Sequence, residues 1–232
     1  MAMIQRKHSG GDDDVGNVFW VTMSDLMLGL AIIFITLFVL AMTGFNQKTV
    51  QQQRVKMDVA KEIEAELQKN NIDAKVDRMT GDLEIPSSAL FEVNNYILKP
   101  EGRAFLDKLT PIYVNTIFSN KKLSDSIESI IIQGHTDSQA FAGLTNINDQ
   151  FVYNMDLSTK RANSVAARML GGKYKPEYNE GFRKMITVEG RSFNDLILDD
   201  QGKEDMIKSR RVEIKLKVKD WSVATFLGLK NK

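Results

Sequence analysis

Apolar residues are spread unevenly along the chain. Between Asp14 and Lys48 lie 33 residues, of which one, Asp25, is charged. Val18 to Phe45 is a nearly continuous apolar run of 28 residues. A bilayer core takes about 20 apolar residues as helix, so the run predicts a transmembrane helix over 18–45 with some tilt. A secretory leader has an apolar region of about 7–15 residues followed by a small-residue cleavage site. This run is too long for one, and Ala41-Met-Thr-Gly44 matches such a site poorly. Arg6 and Lys7 before the span, and Lys48, Arg54 and Lys56 after it, do not settle orientation. Long following domains translocate largely regardless of charge. The economical arrangement therefore has residues 1–17 as a cytoplasmic tail and the larger domain on the far side of the membrane.

From residue 46 to 70 the chain turns polar without Pro or Gly, and Val55, Val59, Ile63 and Leu67 recur every four residues. That period predicts an amphipathic helical stalk or linker continuing the membrane helix. Its stripe is either solvated or paired in parallel with a second copy, since a lone stripe needs something to bury it. Next, 72–78 and 82–85 alternate around Met79-Thr-Gly81, the pattern of a β-hairpin. Pro100 opens a helix carrying Ala104, Phe105, Leu106, Leu109 and Ile112. A buried-type strand is expected over 127–133, a helix over 157–170 stopped by Gly171-Gly172, and strands over 186–188 and 212–218. The order predicts an α+β domain over 71–220, a mixed β-sheet with helices on one face, followed by a C-terminal tail over 221–232.

Composition narrows the chemistry. With 31 basic and 30 acidic residues the formal net charge is +1, which gives no support to nucleic-acid binding. The absence of cysteine excludes thiolate catalysis and zinc–thiolate sites, and two histidines far apart, His8 and His135, argue against a His-rich metal centre. No set of paired carboxylates suggests hydrolysis, so the chain is not read as an enzyme, and no cofactor is expected. The exceptional residue is Asp25. An aspartate well inside a spanning helix costs about 2.5–3.5 kcal/mol and marks an ion pathway by default. Thr22 and Ser24 beside it could donate hydrogen bonds to its ionised form. The competing reading places Asp25 at the interface, with the span running from Leu26 to Phe45.

Four motifs follow in order: Gly134-His-Thr-Asp137, Tyr153-Asn-Met-Asp-Leu-Ser-Thr-Lys-Arg-Ala162, Gly190-Arg-Ser-Phe-Asn194 and Ser209-Arg-Arg-Val-Glu213. Together, over roughly residues 70–220, they resemble the OmpA-like peptidoglycan-binding domain. An Asp at a strand end and an Arg on the following helix suit a zwitterion such as the α-amino acid end of diaminopimelate: Arg clamps the carboxylate and Asp takes the ammonium. The resemblance implies Asp137 and Arg161 as central contacts, with Thr136, Tyr153, Asn154, Leu157 and Arg211 in support. A purely structural Asp137–Arg161 salt bridge is the alternative, and His135 reads as a packing or supporting histidine. The chain departs from the family pattern at Ser138–Gln150, which looks like an insertion, and at Ser209, where the family usually has Asn.

An apolar helix containing Phe19-Trp-Val-Thr-Met-Ser-Asp-Leu-Met27, followed by such a domain, resembles the MotB family of stator subunits. The resemblance implies that Asp25 carries a driving cation, H⁺ or Na⁺. It also implies that two copies of the chain sit inside a pentameric ring of a multi-span MotA/ZorA-like partner in the bacterial inner membrane, with the domain periplasmic. The short tether and Gly190-Arg-Ser-Phe-Asn194 resemble the Zorya anti-phage branch most; a flagellar stator subunit and a passive membrane-to-wall tether are the alternatives.

Overall fold

The computed structural model describes residues 12–70, 72 and 74–219. Of the expected tail over 1–17, residues 1–11 lie outside the described residues and 12–17 are helical; the tail over 221–232 lies outside them too. Two compact units emerge, residues 1–50 and 51–232. In the first, helix α1 (Asp12–Lys69) begins, and its segment Val18–Thr43 has a mean hydropathy of 2.7 with none of it buried by protein. That is the length and composition needed to cross a bilayer.

The second unit is built on one five-stranded sheet. In chain order its elements after α1 are β1 (Lys75–Val76), β2 (Leu83–Pro86), α2 (Ser87–Leu90), α3 (Pro100–Ser119), α4 (Lys121–Ser126), β3 (Ile127–Gly134), α5 (Ile147–Leu170), α6 (Asn179–Met185), β4 (Ile186–Gly190), α7 (Met206–Ser209) and β5 (Arg211–Val218). The strand order is β1-β2-β5-β3-β4, antiparallel except for the parallel pair β3–β4. The parallel pair needs a crossover, which α5 and α6 supply. On β5 Val212, Ile214, Leu216 and Val218 are buried, while Glu213, Lys215 and Lys217 alternate onto the opposite face. Leu106, Leu109, Tyr113 and Ile117 of α3, with Ala162, Val165 and Met169 of α5, complete the same core.

Three expectations are revised. The stripe Val55, Val59, Ile63 and Leu67 is neither solvated nor paired with a second copy. All four side chains are buried in the core of residues 51–232, and the helix is tied to the β1–β2 hairpin by an Arg78–Glu64 ion pair at 2.7 Å. The domain itself is what the stripe needed. Ile63→Ala is therefore expected to cost about 2–5 kcal/mol, as a core truncation does. Thermal unfolding of the detergent-solubilised chain measures it; a free stalk would leave the melting temperature unchanged. Second, α5 starts at Ile147, ten residues before the expected Leu157, so the last four residues of the apparent insertion are helix. Asn146 caps it, its side chain accepting from the Asn148 amide at 2.8 Å. Third, β4 runs on to Gly190, placing that glycine in register with Gly134.

Candidate functional site

Where β3 ends, the backbone is stitched to the segment after β4: the Arg191 amide donates to the Gly134 carbonyl and the Thr136 amide to the Ser192 carbonyl, each at 2.9 Å. Ser192 stands at φ 53°, a conformation non-glycine residues seldom adopt, and its hydroxyl donates to the Phe151 carbonyl of α5 at 3.0 Å. These bonds fix the exit of β3 against α5. Thr136 and Asp137 are thereby directed into a cavity of about 630 Å³, lined on its other sides by Phe91, Tyr153, Asn154, Leu157, Arg161 and Arg210.

Of the seven residues expected at the ligand site, six line this cavity: Thr136, Asp137, Tyr153, Asn154, Leu157 and Arg161. Arg211 does not. It is buried, donating to Glu213 at 2.6 Å and to the Asp195 and Ser209 carbonyls at 3.1 and 3.2 Å. Arg210 lines the cavity instead, 3.3 Å from Asp137 Oδ2. Adjacent residues entering a strand point to opposite sides, so one of the paired arginines had to turn away. The loop after β3 adds a wall that the sequence left unassigned, with Phe141 stacked on Tyr153 at a ring-centroid distance of 4.4 Å.

The charges are incompletely neutralised. Asp137 is only 6% exposed, and neither its Oδ2 nor the Thr136 hydroxyl has a hydrogen-bond partner. Burial pushes the Asp137 carboxyl up; Arg210 opposes this and Glu204 adds to it. Arg161 is 4% exposed, its Nε donating to the Asn95 carbonyl at 2.9 Å and its guanidinium 5.4 Å from the Phe91 ring centroid. Burial, reinforced by Arg210, pushes its pKa down to about 10, so it remains charged near neutrality. A direct Asp137–Arg161 salt bridge is not formed; the ion pair of Asp137 is with Arg210. Unpaired buried donors and acceptors are costly, and this cluster suits a ligand carrying both an ammonium and a carboxylate. His135, wholly buried, lies 3.4 Å from Glu213 and 3.8 Å from Asp195, behind the cavity wall. Among the described residues, no cluster of three His, Asp or Glu side chains could hold a metal ion.

In the apolar unit, Asp25 lies on an exposed stretch of α1 with Ser24 beside it. The Thr22 hydroxyl donates to its own helix, at 3.0 Å to the Val18 carbonyl and 2.9 Å to that of Phe19, and not to Asp25. Back-bonding of this kind satisfies a hydroxyl where no water is present.

The apolar helix is followed by a domain whose mixed α+β sheet has a MotB-like, OmpA-like fold. Its fold is similar to the crystal structure of a MotB-like protein from Desulfovibrio vulgaris, with a TM-score of 0.51 and 21% identity over 73% of this chain and 94% of that one. In sequence the chain is ZorB-like. It is similar to two Escherichia coli proteins named Zorya protein ZorB. One is 28% identical over 213 residues, covering 88% of this chain and 89% of the relative. The other is 24% identical over 234 residues, covering 95% and 85%. No protein-family model matches the chain.

Proposed function

We propose that this chain is the wall-anchored rod subunit of an ion-driven membrane motor of the stator type, serving anti-phage defence. Asp25 carries the driving cation, H⁺ or Na⁺, and the domain over 51–219 holds peptidoglycan. The span crosses the bacterial inner membrane once, with the N-terminus cytoplasmic and the domain periplasmic. Two copies stand inside a pentamer of a multi-span MotA/ZorA-like subunit. The observation that carries the wall-binding part is the cavity in which Asp137 Oδ2 and the Thr136 hydroxyl are buried without hydrogen-bond partners opposite Arg161 and Arg210. The similarity to ZorB along most of both chains supports defence over motility.

Mechanistically, Asp137 accepts the ammonium of the stem-peptide diaminopimelate, Arg161 clamps its carboxylate, and Leu157 packs against the methylenes between its two ends. The full chain in detergent should co-sediment with purified diaminopimelate-type sacculi. Asp137→Ala and Arg161→Ala each remove a charge-assisted contact, worth about 1.5–3 kcal/mol, or roughly 10- to 150-fold in affinity. Both variants folded by circular dichroism and binding as well as wild type would overturn the reading.

Binding should also fall with pH, because only the ionised Asp137 attracts an ammonium. The loss begins above the usual carboxylate range, since burial raises this carboxyl. The sign for stability is opposite in the empty protein. A raised folded pKa favours the protonated state, so the group's contribution is full below its unfolded pKa and withdrawn as pH rises through the folded value.

A further inference from the structure

Glu204 stands outside the cavity lining, yet it holds one of its walls. Its Oε1 accepts from the Ser138 amide at 3.0 Å, and its Oε2 accepts from the Ser138 hydroxyl in a short hydrogen bond. Ser138 follows Asp137 directly, so this carboxylate fixes the chain on which Asp137 rides. Glu204 is itself fixed by an antiparallel bridge to Leu198, and it precedes Asp205. Asp205 caps α7, accepting from the Ile207 and Lys208 amides, and Arg210 follows directly as the C-cap. A single carboxylate therefore ties the Asp137 side of the cavity to the segment that delivers Arg210.

We propose that Glu204 is a positioning and specificity residue for ammonium recognition: it locks the Asp137-bearing loop against the Arg210-bearing segment and sets a second negative charge behind the first. The proposal rests on the reading of the cavity as a site for a zwitterionic amine. Around Asp137 stand Arg210 at the entry to β5, Arg161 and Tyr153 on α5, and Glu204 on the connection before α7, while Glu92 and Lys99 line the wall between α2 and α3. Arg210 is the charged group paired with Asp137, and Arg161 is committed to the ligand carboxylate. Beside Asp137 itself, one paired guanidinium therefore faces two carboxylates. A ligand ammonium adds positive charge there and interacts favourably with both carboxylates, whereas an acylated amine adds none and leaves Asp137 with its Arg210 ion pair. Lys99 does not supply that charge, since its ammonium donates to the Ser88 carbonyl at 2.7 Å.

Glu204→Gln keeps an acceptor for Ser138 while removing the charge, and circular dichroism should show it folded. Two measurements on the full chain in detergent decide the matter. In the ligand-free protein, carbon-13 titration of the Asp137 carboxyl should move to lower pH in Glu204→Gln. In binding assays with meso-diaminopimelate and its di-N-acetyl derivative, the preference of wild type for the free amine should shrink by about tenfold in the variant. An unchanged Asp137 titration overturns the proposal whether or not either probe binds. If wild type binds meso-diaminopimelate, an unchanged preference overturns it too. Wild type that binds neither probe nor sacculi refutes the wall-binding reading, and the titration alone then judges Glu204.

Discussion

Asp25→Asn is expected to leave the chain inserted and wall-bound while abolishing ion flow and phage protection. The argument starts from cost. Within Val18–Thr43, of mean hydropathy 2.7, Asp25 is the one residue with a formal charge. A carboxylate there costs about 2.5–3.5 kcal/mol to insert, which an inert anchor has no reason to carry. In the proposed mechanism the ionised form gains by facing polar groups on a partner ring, and taking up a proton or sodium ion removes that preference. Alternate loading and release can therefore step the ring, each charge crossing 100 mV supplying about 2.3 kcal/mol. Asn is close in size but cannot ionise. Flux through proteoliposomes holding the chain and its multi-span partner should fall to background, and plaque counts on cells carrying the variant should match those of cells lacking the system. An Asn variant that conducts and protects would reduce the chain to a passive tether.

Much of the domain was legible because its elements are strongly periodic. The alternation of β5, the buried run of β3 and the spacing of Leu106, Leu109 and Ile112 report one-sided burial directly. The start of α5 was hidden because Ile147 and Val152 are 62% and 65% exposed and so blur the stripe. Asp137 and Arg161 were visible as motif residues because Asp137 lies three residues past the end of β3 and Arg161 sits on α5, so regular elements place both. Arg210 was not, because the choice between two adjacent arginines depends on which of them enters β5 first. Glu204 left no signal at all: its role arises from a contact spanning 66 residues of sequence. The stripe of Val55, Val59, Ile63 and Leu67 correctly announced a burying surface, but periodicity alone cannot tell one's own sheet from a second copy.

Gly134→Ala should damage both fold and site, more than any cavity-lining substitution does to the fold. Gly134 and Gly190 are partners in the parallel register of β3 and β4, and α5 crosses directly over them. A Cβ on Gly134 would lie 2.9 Å from the Ser158 carbonyl carbon and closer still to its oxygen; one on Gly190 would lie 2.8 Å from the Thr159 amide nitrogen. These neighbours include helix backbone, so no side-chain rotation relieves the clash and α5 must lift from the sheet. Overpacking of this kind costs about 1–3 kcal/mol and sometimes more. For a chain of this size that is about 2–12 °C in melting temperature. Arg161 follows Ser158 by less than one turn, so a lifted helix carries it away from Asp137 and sacculus binding fails even where folding survives. Gly171→Ala is the control: at φ −85° it sits in an ordinary conformation, and its Cβ would meet nothing nearer than 3.6 Å. Thermal unfolding and co-sedimentation of the two variants should separate cleanly, with Gly171→Ala close to wild type in both. A Gly134→Ala chain that melts and binds as wild type does would mean that α5 is not seated on these glycines.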